Sequence, residues 1–147
     1  MIHRKLLMAA AIVAAATITG CSDRTAPLVQ SGDLNVSKEC SAYTGQADDF
    51  CTITSSNLAQ IAVGSRVVYA SAAVGTLLDT DVVLTPPGQT SNTASGHCTL
   101  NLETGVGQCT FLGGTGAFTS FEADVAVSHL DGPNYAWDGT YSFSAGN

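Results

Sequence analysis

Positive charge is what this sequence has least of. Five lysines and arginines stand against twelve aspartates and glutamates in 147 residues. Two of the five, Arg4 and Lys5, lie in the first few positions, leaving Arg24, Lys38 and Arg66 for the rest. A polyanion with so few cations cannot neutralise phosphate backbones or anionic head groups, which excludes nucleic acid as a partner. Metal-ligand spacing is missing too. No two cysteines lie two to four residues apart, and His97, next to Cys98, would point to the opposite face of a strand. His97 and His129 are isolated and read as surface or strand-end residues, with no order resembling a Ser-His-Asp triad. Helical periodicity is nearly absent after residue 18, and no later apolar run is long enough to span a bilayer as a helix.

What is present begins at the N-terminus. His3, Arg4 and Lys5 precede an uncharged apolar run from Leu6 to Ile18, the layout of a secretory signal. The run ends in Ile18-Thr19-Gly20-Cys21, which resembles the lipobox of bacterial lipoproteins. The resemblance implies cleavage before Cys21 and a diacylglyceryl thioether on its sulfur, usually with acylation of the new amine, palmitate included. Each buried methylene contributes about 0.8 kcal/mol, so two or three chains make a durable membrane anchor. Cleavage removes Arg4 and Lys5 and no acid, so three bases face twelve acids and the mature chain carries −9. Residues 1–20 are thus a signal peptide. Residues 21–38, small and polar, read as a flexible tether, and 39–147 as one β-barrel domain in the cell envelope outside the cytoplasm. Ser22, where an aspartate would retain the protein in the inner membrane, is compatible with outer-membrane sorting. Asn35-Val36-Ser37 matches a glycosylation sequon by chance.

With Cys21 assigned to lipid, Cys40, Cys51, Cys98 and Cys109 remain. An oxidising compartment argues for two disulfides among three possible connectivities. The spacing favours Cys40–Cys51 and Cys98–Cys109, each pair enclosing ten residues. A hairpin turn over Leu102–Gly105 would set Cys98 opposite Cys109. Each short loop would contribute roughly 3 kcal/mol on the chain-entropy model.

Fifteen glycines and turn clusters such as Pro86-Pro87-Gly88-Gln89 and Asp131-Gly132-Pro133-Asn134 separate short runs rich in Val, Thr, Tyr and Phe. The pattern predicts strands over 52–54, 66–71, 81–85, 93–102, 107–112, 121–129 and 135–143, with a one-turn helix over Ser55–Gln60. Phe121, Ala123, Val125 and Val127 share one face, against Glu122, Asp124, Ala126 and Ser128. Tyr135, Trp137, Tyr141 and Phe143 likewise oppose Asp138, Thr140, Ser142 and Ser144. Strands with one dry and one wet side, and the need to hide sheet edges, point to a closed barrel.

From Gln108 to Phe118 the chain reads QCTFLGGTGAF, and it resembles the dirigent and allene oxide cyclase group. Those proteins carry a strand, a GGTG corner, one residue and Phe, an Ala/Gly-rich strand and a last aromatic strand. The match covers about 40 residues, with Gly113, Gly114 and Gly116 as the corner. The resemblance implies an all-β, antiparallel, eight-stranded calycin-like barrel with a central cavity, commonly assembled as a homo-trimer. The family guides cyclisation or coupling of apolar intermediates, but its catalytic residues do not carry over. Gly75-Thr76-Leu77-Leu78-Asp79 sits too close to the corner for Asp79 or Asp81 to take the dirigent aspartate's role.

Three functions follow. The first is a non-enzymatic barrel binding an apolar small molecule in a cavity lined by Tyr135, Trp137 and Tyr141, though the same rings could simply fill a narrow barrel. The second is an isomerase or cyclase, which would need Glu122, Asp124 or Asp138 to face inward. The third is a structural envelope protein without ligand. No catalytic residue, cofactor or metal is assigned.

Overall fold

The computed structural model describes residues 30–144. The expected signal peptide and lipobox, with Cys21, lie outside the described residues.

Eight antiparallel strands close into a barrel in which each strand pairs with the next and the last with the first. They are β1 (Gln30–Glu39), β2 (Phe50–Ser56), β3 (Arg66–Tyr69), β4 (Leu77–Thr85), β5 (Thr93–Asn101), β6 (Val106–Thr115), β7 (Phe121–His129) and β8 (Asn134–Phe143). One 3-10 turn, Gly116–Phe118, joins β6 to β7. The expected strands are present with shifted ends. β2, β4, β6 and β8 are longer than read, β4 beginning at Leu77 and β6 running on to Thr115. β3 and β5 stop sooner, at Tyr69 and Asn101.

Two expectations are corrected. The stretch assigned to the tether contains the first strand: β1 pairs with β8 along all ten residues, from Gln30↔Phe143 to Glu39↔Asn134. The barrel therefore begins by Gln30, not at residue 39. The proposed helix over Ser55–Gln60 is absent. Ser55 and Ser56 finish β2, and a turn then drops Leu58 and Ile61 into the core. Burying those two side chains outweighs any capping preference of the serines.

An eight-stranded barrel has an interior just wide enough for side chains to fill. Here Leu34, Ile53, Val67, Leu84, Phe111, Phe121, Val125 and Trp137 occupy it, each almost wholly buried. Trp137 meets Phe111 edge-on at 5.4 Å between ring centroids, and Phe118 meets Phe121 at 5.3 Å. Phe118, from the 3-10 turn, and Leu58 and Ile61 are buried at the end of the barrel where β1 begins. The GGTG corner works by close approach. Gly113 and Gly116 have φ of +91° and +57°, and a Cβ on Gly114 would strike the Thr93 carbonyl oxygen and Phe118. Backbone contact excludes a side chain at Gly114, and the left-handed backbone disfavours one at Gly113 and Gly116.

Both disulfides form as the spacing favoured, Cys40–Cys51 with Cα atoms 4.3 Å apart and Cys98–Cys109 with 4.1 Å. Cys98 and Cys109 are direct cross-strand partners. The outer wall is rich in carboxylates, with Leu77, Val83, Val106 and Leu112 exposed among them. Asp33, Asp79, Asp81, Glu122, Asp124 and Asp138 all project from it, the reverse of the apolar-outside pattern of membrane-spanning barrels.

Candidate functional site

The barrel has two unlike ends. One is sealed by Phe118, Leu58 and Ile61; at the other, where β1 and β3 finish and β8 starts, a lysine points inward. Along β1 the inward positions are Leu34, Val36 and Lys38, and Lys38 is only 2% exposed. Its partner on β2 is set by a bulge. Ser37 pairs with Ser55 but Lys38 pairs with Ile53, so Thr54 is an extra residue that lets Lys38 and Ile53 share the interior.

The Lys38 ammonium donates to the Tyr69 hydroxyl at 2.7 Å. The Tyr69 hydroxyl in turn lies 3.5 Å from Cys51 Sγ. Lys38 Nζ also stands 4.5 Å from the Trp137 ring centroid and 5.4 Å from that of Tyr69, within cation–π range of both. A small cavity of about 20 Å³ adjoins it, walled by Tyr43, Tyr69, Leu78, Leu100, Leu102 and Tyr135 with the Cys40–Cys51 bridge. That wall contains no carboxylate. Burial without a countercharge lowers the Lys38 amine to about 7, and burial likewise pushes the Tyr69 phenol up.

Tyr43 reaches the site from the loop between β1 and β2. The Asp49 carboxylate clamps that loop, accepting hydrogen bonds from the Thr44 and Gln46 amides and the Thr44 hydroxyl. Those bonds, the Gln46 amide foremost, hold its carboxyl below the usual range. The clamp sets the Tyr43 ring edge-on to Tyr69 at 5.2 Å. The Tyr43 hydroxyl is buried without a hydrogen-bond partner among the described residues, as are Trp137 Nε1 and Gln60 Oε1. Such groups are unusual in a folded interior.

The expected cavity residues share a face of β8 but not a chamber. Trp137 is packed into the core, and Tyr135 lines the cavity at the Lys38 end. Tyr141, six residues further along, is about 20 Å away near the sealed end, where it lies against Gly32. Glu122, Asp124 and Asp138 face outward. Asp124 accepts from Gln108 and Thr110, and Asp138 from Asn35.

The outer wall has larger hollows, but they are open grooves. One, near 450 Å³, is lined by Ser31, Asp33, Glu122, Asp124, Thr140 and Ser142. Size does not make it the better candidate, since it is open and its carboxylates are solvent-exposed. On the β4–β5 wall His97 is not isolated: its ring nitrogens lie 2.7 Å from Asp79 and 2.9 Å from Asp81. Hydrogen bonds to Asp81 first, then Asp79, raise its pKa. No group of three His, Cys, Asp or Glu side chains among the described residues could hold a metal ion.

Lys38 was legible only in part. The alternation Leu34, Val36 places residue 38 inward, but its partner Tyr69 is 31 residues away. No family model, curated protein or solved structure matches this chain.

Proposed function

We propose that this chain is a lipid-anchored, extracytoplasmic, non-enzymatic β-barrel that binds a small apolar molecule at the mouth around Lys38. The observation carrying this reading is Lys38 itself. It is a buried amine with no carboxylate in the wall around it, beside a cavity lined mainly by aromatic and aliphatic side chains. The filled interior argues against a deeper ligand chamber at Trp137. The outward direction of Glu122, Asp124 and Asp138 argues against the cyclase reading. We further propose that the barrel is of the dirigent and allene oxide cyclase type. The QCTFLGGTGAF corner and the eight-stranded antiparallel closure support that assignment.

The anchor rests on the lipobox at Ile18–Cys21. β1 starts at the sealed end, so a tether from Cys21 attaches there and the mouth lies at the far end of the barrel. Fully extended, the tether reaches about 30 Å from Cys21 to Gln30.

Titration of the detergent-extracted protein with an uncharged hydrophobic dye tests the binding reading. Saturable micromolar binding is expected, weakened about tenfold by Tyr135→Ala with the circular dichroism unchanged. Non-saturable binding, or binding indifferent to Tyr135→Ala, overturns it. Mass spectrometry of Cys21 decides the anchor: a free, unmodified thiol in membrane-extracted protein removes it.

A further inference from the structure

Stability does not explain Lys38. An ammonium taken out of water costs several kcal/mol, and apolar side chains commonly replace buried charges at no loss. Its three donors meet one hydroxyl, that of Tyr69. The neighbouring wall contributes Tyr43, Tyr69 and Tyr135 as its other titratable groups and no acid. What the arrangement provides instead is an amine with an available lone pair. Burial brings it to about 7, so near neutrality a large share of molecules carries it unprotonated.

We propose that the barrel mouth captures an uncharged aldehyde as a reversible imine on Lys38. This rests on the mouth-binding reading above and names its ligand class. The lone pair of Nζ attacks the carbonyl carbon, and a nitrogen proton passes to oxygen to give the carbinolamine. Tyr69, 2.7 Å from Nζ, donates the proton that lets the hydroxyl leave as water and recovers one from nitrogen. One amine and one aldehyde thus give one imine and one water, with no change of oxidation state. The iminium that exists between those two proton transfers is cationic, and the Trp137 face, 4.5 Å from Nζ, stabilises it.

The space selects the class. The cavity of about 20 Å³ admits a water-sized group and little more. A formyl group fits it; the second substituent of a ketone does not. The rest of the molecule must leave past Tyr43 and Tyr135, both half-buried. Asp49, whose charge acts on Tyr43 at that opening, disfavours an anionic ligand.

Lys38 is the only lysine after Lys5, so peptide mapping separates its side chain from the one other amine, the N-terminus. The detergent-extracted protein is treated with propanal and cyanoborohydride at pH 7, and adducts are located by peptide mapping. The expected result is a single propyl group on Lys38, formed at least about tenfold faster than in urea-unfolded protein, because the unfolded amine is almost wholly protonated. Acetone should give no adduct. Tyr69→Phe, with unchanged circular dichroism, should slow the reaction by roughly an order of magnitude. A native Lys38 that resists propanal while the unfolded chain reacts overturns the proposal and leaves the residue structural. Dye binding is measured separately, so a mouth that binds dye without forming the adduct loses the imine alone.

Discussion

Lys38 and Tyr69 are joined by a 2.7 Å hydrogen bond from amine to phenol inside the barrel, and desolvation alone accounts for the lowered amine. The consequence for stability has a definite sign. The unfolded amine titrates near 10.5 and the folded one near 7, so the unfolded chain binds the extra proton between those values. Stability is lowest below pH 7 and rises as the pH climbs towards 10. The whole interval is on the order of 5 kcal/mol. Denaturant melts at pH 6.5, 8 and 9.5 should show this rise, and Lys38→Met should flatten it and be the more stable protein at pH 6.5. A wild-type midpoint independent of pH would contradict the buried, uncompensated amine.

The His97 cluster runs the other way. Its pKa is raised in the folded state, so its contribution is fully present below about 6.5 and fades as the pH passes the folded value. The cluster lies on the solvent-exposed wall, which limits its worth to less than about 1 kcal/mol. NMR titration should place the His97 midpoint above 6.5, and Asp81→Asn should lower it more than Asp79→Asn. Equal midpoints in all three proteins would show that neither carboxylate engages the ring in solution.

The domain boundary is open to direct trial. A mature chain lacking residues 30–38 loses Leu34 and Val36 from the core and leaves β8 and β2 with open edges. It should be insoluble or lack a cooperative melt, whereas a chain starting at Gln30 should melt as the full mature protein does. Equal melting of the two would mean that β1 is dispensable.

Much of the barrel was readable where alternation was clean. Phe121–Val127 and Tyr135–Phe143 declare their faces in single letters, and the equal cysteine spacings matched the hairpin register. β1 was hidden because its code is sparse. Ser31, Gly32, Asp33, Asn35 and Ser37 look like linker, and the third inward residue is a lysine where an apolar one is expected. The functional candidate is thus what disguised the strand that bears it. The Lys38–Tyr69 and His97–Asp79–Asp81 contacts were illegible for another reason: they depend on which residues face each other across strands, and on the bulge at Thr54. Composition and spacing along one strand do not carry that register.

The pairing of the first strand with the last has a consequence for the order of folding. Both disulfides close between residues eleven apart, so each can be oxidised soon after its own stretch of chain emerges. The β1–β8 seam cannot form until the stretch from Asn134 to Phe143 is available, because every one of its ten pairs needs β8. Until then β1 and β7 each present an unpaired edge. The last strand to appear is the one that turns a sheet into a barrel.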